Sequence, residues 1–133
     1  MMQDRKTSEI GRWGEKEAER FLKGKHYRIL GRRVRVGQRD ELDLVARHCD
    51  TLVFVEVKTR KQEDFGRPAE AVNRAKRRRL SRAAIRYMKR LRSPPKFFRF
   101  DIVEVIGSMD RPSPEIRHIE NAFPMDMRYT LPD

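Results

Sequence analysis

Asp43, Glu56 and Lys58 are the residues of this chain whose types and spacing could do chemistry together. Glu56 and Lys58 stand two apart in Leu52-Val53-Phe54-Val55-Glu56-Val57-Lys58, so on a strand both emerge on the same face. The apolar run around them reads as a central strand covered on both sides. A charge inside such a strand is costly unless it is paired or holds a metal ion. A solvent-facing ion pair on an edge strand would also account for these two residues. Glu41 and Asp43 share a face of Glu41-Leu42-Asp43-Leu44-Val45-Ala46, which alternates apolar and polar as a half-buried strand does. A short hairpin would set that face beside Glu56. Two carboxylates on adjacent strands offer the oxygen donors that Mg2+ or Mn2+ takes while keeping several waters. A lysine beside them can orient a water or take its proton. With one or two such ions, these are the parts for hydrolysing a phosphodiester.

The elements that must position these residues follow from the pattern around them. Ser8 can cap a helix running to about Lys23, with Gly24 closing it. Gly11, Gly14, Ala18, Phe21 and Leu22 recur on one side of that helix, and the small residues suit close packing on a sheet. Tyr27 to Leu30 and Arg33 to Val36 read as one strand bent near Gly31, followed by a turn at Gly37 to Asp40. After the two strands already described, separated by a polar turn from Arg47 to Thr51, Lys61 to Pro68 is a looser stretch. A long helix is expected from about Pro68 to Leu91, with Ala69, Val72, Leu80, Ala83, Ala84, Tyr87, Met88 and Leu91 as its apolar stripe. Ser93-Pro94-Pro95 stops it. Phe97 to Ile106 is a strongly apolar strand, and Glu115 to Phe123 a short edge strand. The expected fold is α/β, with a mixed sheet covered by a helix on either side. It forms one domain over residues 1–133, with a core from about 8 to 123 and short flexible termini.

Read in order, these pieces resemble a known family. Gly14-Glu15-x-x-Ala18 lies on the first helix. Glu41-Leu42-Asp43-Leu44-Val45 precedes Leu52 to Lys58, and Phe65-Gly66-x-Pro68-Ala69-Glu70-Ala71-Val72 opens the second helix. Over roughly residues 10 to 106 the set resembles the YraN family of bacterial proteins, within the PD-(D/E)xK endonuclease-like superfamily of restriction enzymes and Holliday-junction resolvases. The resemblance implies a restriction-endonuclease-like αβββαβ core. It implies Asp43, Glu56 and the carbonyl of Val57 as metal ligands and Lys58 as the catalytic lysine. It also implies that Glu15 reaches the same site from the first helix, a solvated glutamate being the alternative for that position. The chain departs from the family pattern at Asp40, where glycine is usual. An acid there would sit in the turn or alter its shape. Members of the superfamily that kept the fold and lost catalysis leave open a non-catalytic DNA- or RNA-binding accessory module.

Charge points to the partner. Thirty-two Lys and Arg against 20 Asp and Glu give a net charge of +12, which favours polyanions. Much of the excess falls between Arg67 and Arg92, where Glu70 is the lone acid. Arg74, Arg77, Arg78, Arg79, Arg82 and Lys89 are the candidate nucleic-acid contacts, with Arg78, Arg82 and Lys89 opposite the apolar stripe. Lys76 lies within that stripe: its stem could cover core while its amine snorkels outward, or the amine could reach a phosphate at the active site. DNA is favoured over RNA as partner, and a homodimer would suit cutting of two strands. Membrane binding is disfavoured, since Ile85 is the sole apolar anchor expected on the basic face. Met1 to Lys6 is polar and unlike a signal peptide, and the lone Cys49 suits a reducing cytoplasm. His26, His48, Cys49 and His118 lack ligand spacing and read as ordinary surface or loop residues.

Overall fold

The apolar run that holds Glu56 forms β3, Thr51–Arg60, the middle strand of a five-stranded sheet. The computed structural model describes residues 2–61, 72–111 and 113–126, with side chains from Ser8 onward. In chain order the elements are α1 (Met2–Gly24), β1 (Arg28–Val36), β2 (Asp40–His48), β3, α2 (Arg74–Lys89), β4 (Phe97–Ile106) and β5 (Glu115–Phe123). The strands lie in the order β1-β2-β3-β4-β5. All neighbours are antiparallel except β3 and β4, which are parallel and joined through α2. This is the αβββαβ order expected, extended by β5 on the sheet edge.

The two helices cover opposite faces. Ala18 and Leu22 of α1 pack with Leu44, Ala46, Val53, Val55, Val103 and Val105. Leu80, Ala83, Ala84, Ile85 and Met88 of α2 pack with Val36, Leu42, Val45, Leu52, Phe54, Phe100 and Ile102. The alternation of Val53, Val55 against Leu52, Phe54 along one strand is what makes two cores from one apolar run. The small residues of α1 have the purpose their spacing suggests. A methyl group at Gly14 would overlap Thr59 Oγ1 of β3, so glycine is needed for helix and sheet to approach this closely.

Several local expectations are corrected. Helix α1 begins at Met2, not at Ser8, so the polar start of the chain is helical rather than tail. The left-handed residue after α1 is His26, with φ 69°, and not Gly24. Between β2 and β3 the turn contracts to Cys49 and Asp50, because both strands run further than the alternation indicated. Helix α2 begins at Arg74: Asn73 is its cap, with Oδ1 accepting the N–H of Lys76 at 2.9 Å. The expected start from Pro68 to Ala71, with Ala69 and the Phe65–Ala71 motif, lies outside the described residues. Ile85 is core at 7% exposure, and Leu91 stands beyond the helix end at 36%. The basic face of α2 therefore lacks the apolar anchor expected from the sequence. Among the described residues no helix is long and apolar enough to cross a membrane. His118 is not a surface residue either; its side chain is 3% exposed.

Candidate functional site

The site grows from a fault in the sheet. Leu42 belongs to the α2-side core and Leu44, two residues on, to the α1-side core. Strict alternation would keep them on one face, so strand β2 turns over at Asp43. The ladders agree. β1 and β2 pair Arg32 with Leu44 and Val34 with Leu42, passing over Arg33 and Asp43. Pairing of β2 with β3 runs from His48↔Thr51 to Leu44↔Val55 and stops one step short of Asp43 and Glu56. Arg33 has φ 45°, in the left-handed region that few non-glycine residues adopt. Where the ladder ends, Asp43 Oδ2 accepts the N–H of Val57 at 2.9 Å. A carboxylate thus takes the place of a backbone acceptor at the fork.

This fork gives Asp43 two environments. On the α2 side it lines a cavity of about 250 Å³ with Asp40, Glu41, Glu56, Lys76 and Arg79. On the α1 side it lines a second, of about 240 Å³, with Arg12, Glu15, Lys16, Arg32 and Arg33. Burial and the nearby charge of Glu56 push the Asp43 carboxyl up to about 7, against the Val57 N–H and Lys76. Glu56 is nearly enclosed, and its Oε1 lies 2.8 Å from Lys76 Nζ and 3.9 Å from Lys58 Nζ. Burial and the neighbouring Lys76 ammonium hold Lys58 below the ordinary lysine range. Lys76 is held above it: burial opposes, but the Glu56 carboxylate prevails.

Asp43, Glu56, Lys58 and Lys76 are therefore brought together, and Glu41 lines the same cavity from an exposed position. Glu15 shares the α1-side cavity with Asp43, but its carboxylate is held by Arg33, whose Nη2 lies 2.8 Å from Oε2. Among the described residues no three His, Cys, Asp or Glu side chains converge as a metal cage. What does fit a hard cation is the pair Asp43 and Glu56. Two carboxylates close enough to raise the pKa of one relieve that repulsion by sharing a cation, and an ion that keeps several waters needs no third acid.

The six basic candidates do not share one environment. Arg82 donates to both oxygens of buried Asp40, at 2.7 Å each, so it staples the β1–β2 turn to α2. Arg77 donates to the carbonyl of Val72 and lies over the ring of Phe123. Arg74, Arg79 and Lys89 are exposed, while Arg78 is half-buried with an enclosed Nε that has no hydrogen-bond partner among the described residues. The departure at Asp40 is thereby explained: the acid is the anchor for Arg82, with Arg86 at 3.7 Å from it.

Sequence reasoning missed a second buried polar cluster. Asp101, fully buried on β4, receives Arg99 Nε at 2.9 Å, His118 Nε2 at 2.7 Å and the N–H of Asn121 at 2.9 Å. Arg99 also donates to the Tyr27 hydroxyl, which donates to Glu120, and the Tyr27 ring stacks on His48. Three charged residues, Arg99, Asp101 and Glu104, inside an otherwise apolar strand were the available signal.

A mixed α/β sheet that forks at one carboxylate, beside a second carboxylate and two lysines, defines a class of polar site rather than an apolar ligand pocket. The chain belongs to Uncharacterised protein family UPF0102, the YraN family, which matches residues 14–105. It is similar to a UPF0102 protein of Symbiobacterium thermophilum, 47% identical over 118 residues, covering 86% of this chain and 95% of that protein. A UPF0102 protein of Geotalea daltonii is 43% identical over 126 residues, covering 95% and 94%. One from Caldicellulosiruptor saccharolyticus is 41% identical over 115 residues, covering 86% and 97%.

Proposed function

We propose that this protein is a Mg2+- or Mn2+-dependent endonuclease that hydrolyses phosphodiester bonds in DNA, branched or damaged structures included. The observation that carries the reading is the meeting of Asp43 and Glu56 at the strand fork with Lys58 beside them. Asp43, Glu56 and the carbonyl of Val57 are the oxygen donors that would hold the cation. When bound, the ion supplies charge neutralisation at the phosphate and a more acidic water. The chain's own groups account for the rest. Lys58, held below the ordinary lysine range, is suited to orient the attacking water or take its proton. Lys76 keeps its charge and offers a cation to a non-bridging phosphate oxygen. Arg74, Arg79 and Lys89 provide exposed positive charge along α2 for the flanking backbone. A cytoplasmic setting suits the lone exposed Cys49. A homodimer would place two such sites on two strands.

A non-catalytic DNA- or RNA-binding module is the second reading. It is favoured by the ion pairs that occupy Glu56 and Glu15 in place of a gathered set of acids. The test is cleavage of supercoiled, single-stranded and four-way-junction DNA and structured RNA, by the protein and by Asp43→Ala, with Mg2+, Mn2+ or EDTA. Metal-dependent cutting lost in the variant is expected. Salt-sensitive binding without cutting would give the second reading preference, and equal cutting by both proteins would remove the site assignment.

A further inference from the structure

Arg33 is the least expected residue near the fork. Its backbone is left-handed, its ladder position opposite Asp43 is skipped, and its side chain crosses from β1 to α1. There Nε donates to Glu15 Oε2 at 2.9 Å while Nη2 approaches the same oxygen at 2.8 Å. Glu15 is 16% exposed and Arg33 40%, so the acid is sheltered while the guanidinium faces water. Arg12 and Lys16, both exposed on α1, line the same cavity. Asp43 is its inner wall, and the charge of Glu15 already acts on Asp43 to raise its pKa.

We propose that Arg33 is a counter-ion gate that holds Glu15 away from the cation site until a phosphate of the nucleic acid takes the guanidinium. This rests on the endonuclease reading and assigns a regulation to that same site. A phosphate entering the α1-side cavity meets Arg12, Lys16 and Arg33 and competes with Glu15 for the last. Guanidinium binds phosphate and carboxylate through the same planar fork, so the exchange replaces one paired geometry with another. Glu15, released, stays in the α1-side cavity that Asp43 also lines, where its charge is free to join the pair Asp43 and Glu56 in drawing a cation. Cation affinity is then low in the free protein and rises when phosphate is bound, so that the loaded site is assembled on substrate. The coupling is reciprocal: whatever cation does to phosphate binding, phosphate does to cation binding by the same factor.

The test is calorimetric Mn2+ binding to the full chain, with sulfate absent or present as a tetrahedral dianion. Arg33→Gly removes the guanidinium and accepts the left-handed backbone, so folding is preserved; Arg33→Lys keeps a cation as a control for charge. Arg33→Gly is expected to bind Mn2+ about five- to tenfold more tightly than the native chain, a size usual for coupled sites. Sulfate should tighten Mn2+ binding by the native chain and leave Arg33→Gly unchanged. In Glu15→Gln the benefit of Arg33→Gly should vanish. Mn2+ binding that requires Asp43 but is indifferent to Arg33, Glu15 and sulfate would overturn the gate and leave the endonuclease reading standing. No Mn2+ binding by any variant would overturn both.

Discussion

The ammonium of Lys76 lies 2.8 Å from Oε1 of Glu56, tying the first turn of α2 to the middle strand of the sheet. Glu56 has almost no water around it, whereas Lys76 keeps 30% of its side chain exposed. The pair is thus asymmetric: Glu56 depends on Lys76 more than the reverse.

Removing the lysine alone should therefore be costly. Breaking a fully buried pair costs about 3–5 kcal/mol, and the partial exposure of Lys76 brings the expectation for Lys76→Met to about 2 kcal/mol. Glu56→Gln in the same chain should restore most of that loss. Urea denaturation of the two single variants and the double gives the coupling. Strictly additive losses would mean that the two charges do not depend on each other.

Asp43 should make stability fall as pH rises. Its folded pKa, raised to about 7 by burial and by Glu56, lies above its unfolded value, so folding favours the protonated form. The cost of ionising it develops as pH climbs from the ordinary aspartate range through about 7 and is then constant. Asp43→Asn keeps an oxygen for the Val57 N–H and removes that cost. At about pH 8 in EDTA the variant should be more stable by on the order of 2 kcal/mol, and at about pH 4 equal to the native chain. Thermal melts at the two pH values check this. A variant less stable at both would show that the hydrogen bond, not the charge, is what Asp43 contributes.

Which parts of this were legible in the sequence follows from what each residue needs. Residues 97–106 and 115–123 give strands with the bounds their apolar pattern indicates: β4 is buried along most of its length, and β5 alternates as an edge strand does. The pairing of Glu56 with Lys58 on one face follows from a two-residue period. Lys76 was legible only as two alternatives, since whether an amine snorkels or reaches inward depends on what lies opposite. Arg33 gave no sign at all: its left-handed backbone and its partner Glu15, 18 residues away, arise only when α1 folds over β1. The charges on β4 signalled the Asp101 cluster, but not its partners beyond that strand, which come from other segments of the chain.

The basic face of α2 should separate into residues that bind and residues that hold the fold. Arg82→Ala strips buried Asp40 of two charged hydrogen bonds and is expected to cost about 2–3 kcal/mol of stability. Arg79→Ala and Lys89→Ala should leave the melting temperature within about 1 °C, since exposed residues away from such contacts change little. Each should instead lower the slope of log affinity for duplex DNA against log salt by about one. Fluorescence anisotropy across a salt series reads it. Unchanged slopes for both would move the binding surface off α2.

Asp101 supplies the opposite pH limb. Burial raises its pKa, but hydrogen bonds from His118, Arg99 and the Asn121 N–H outweigh burial and leave it below the ordinary aspartate value. A carboxylate with a depressed folded pKa contributes stability that is present above its unfolded pKa and is lost as pH falls through the folded one. Acid unfolding should therefore draw on Asp101 while Asp43 acts in the range above. Asp101→Asn should cost about 3 kcal/mol at neutral pH, because it leaves Arg99, 19% exposed, without its charged partner. The loss should shrink as the solution is acidified, since the native chain then loses the same interaction by protonation. His118→Ala should cost about 1–2 kcal/mol at neutral pH, the price of one charged hydrogen bond on an acid that keeps two other donors. Denaturant midpoints measured at neutral and acid pH separate these effects. If the cost of Asp101→Asn is the same at both, the cluster acts through packing and its charge is incidental.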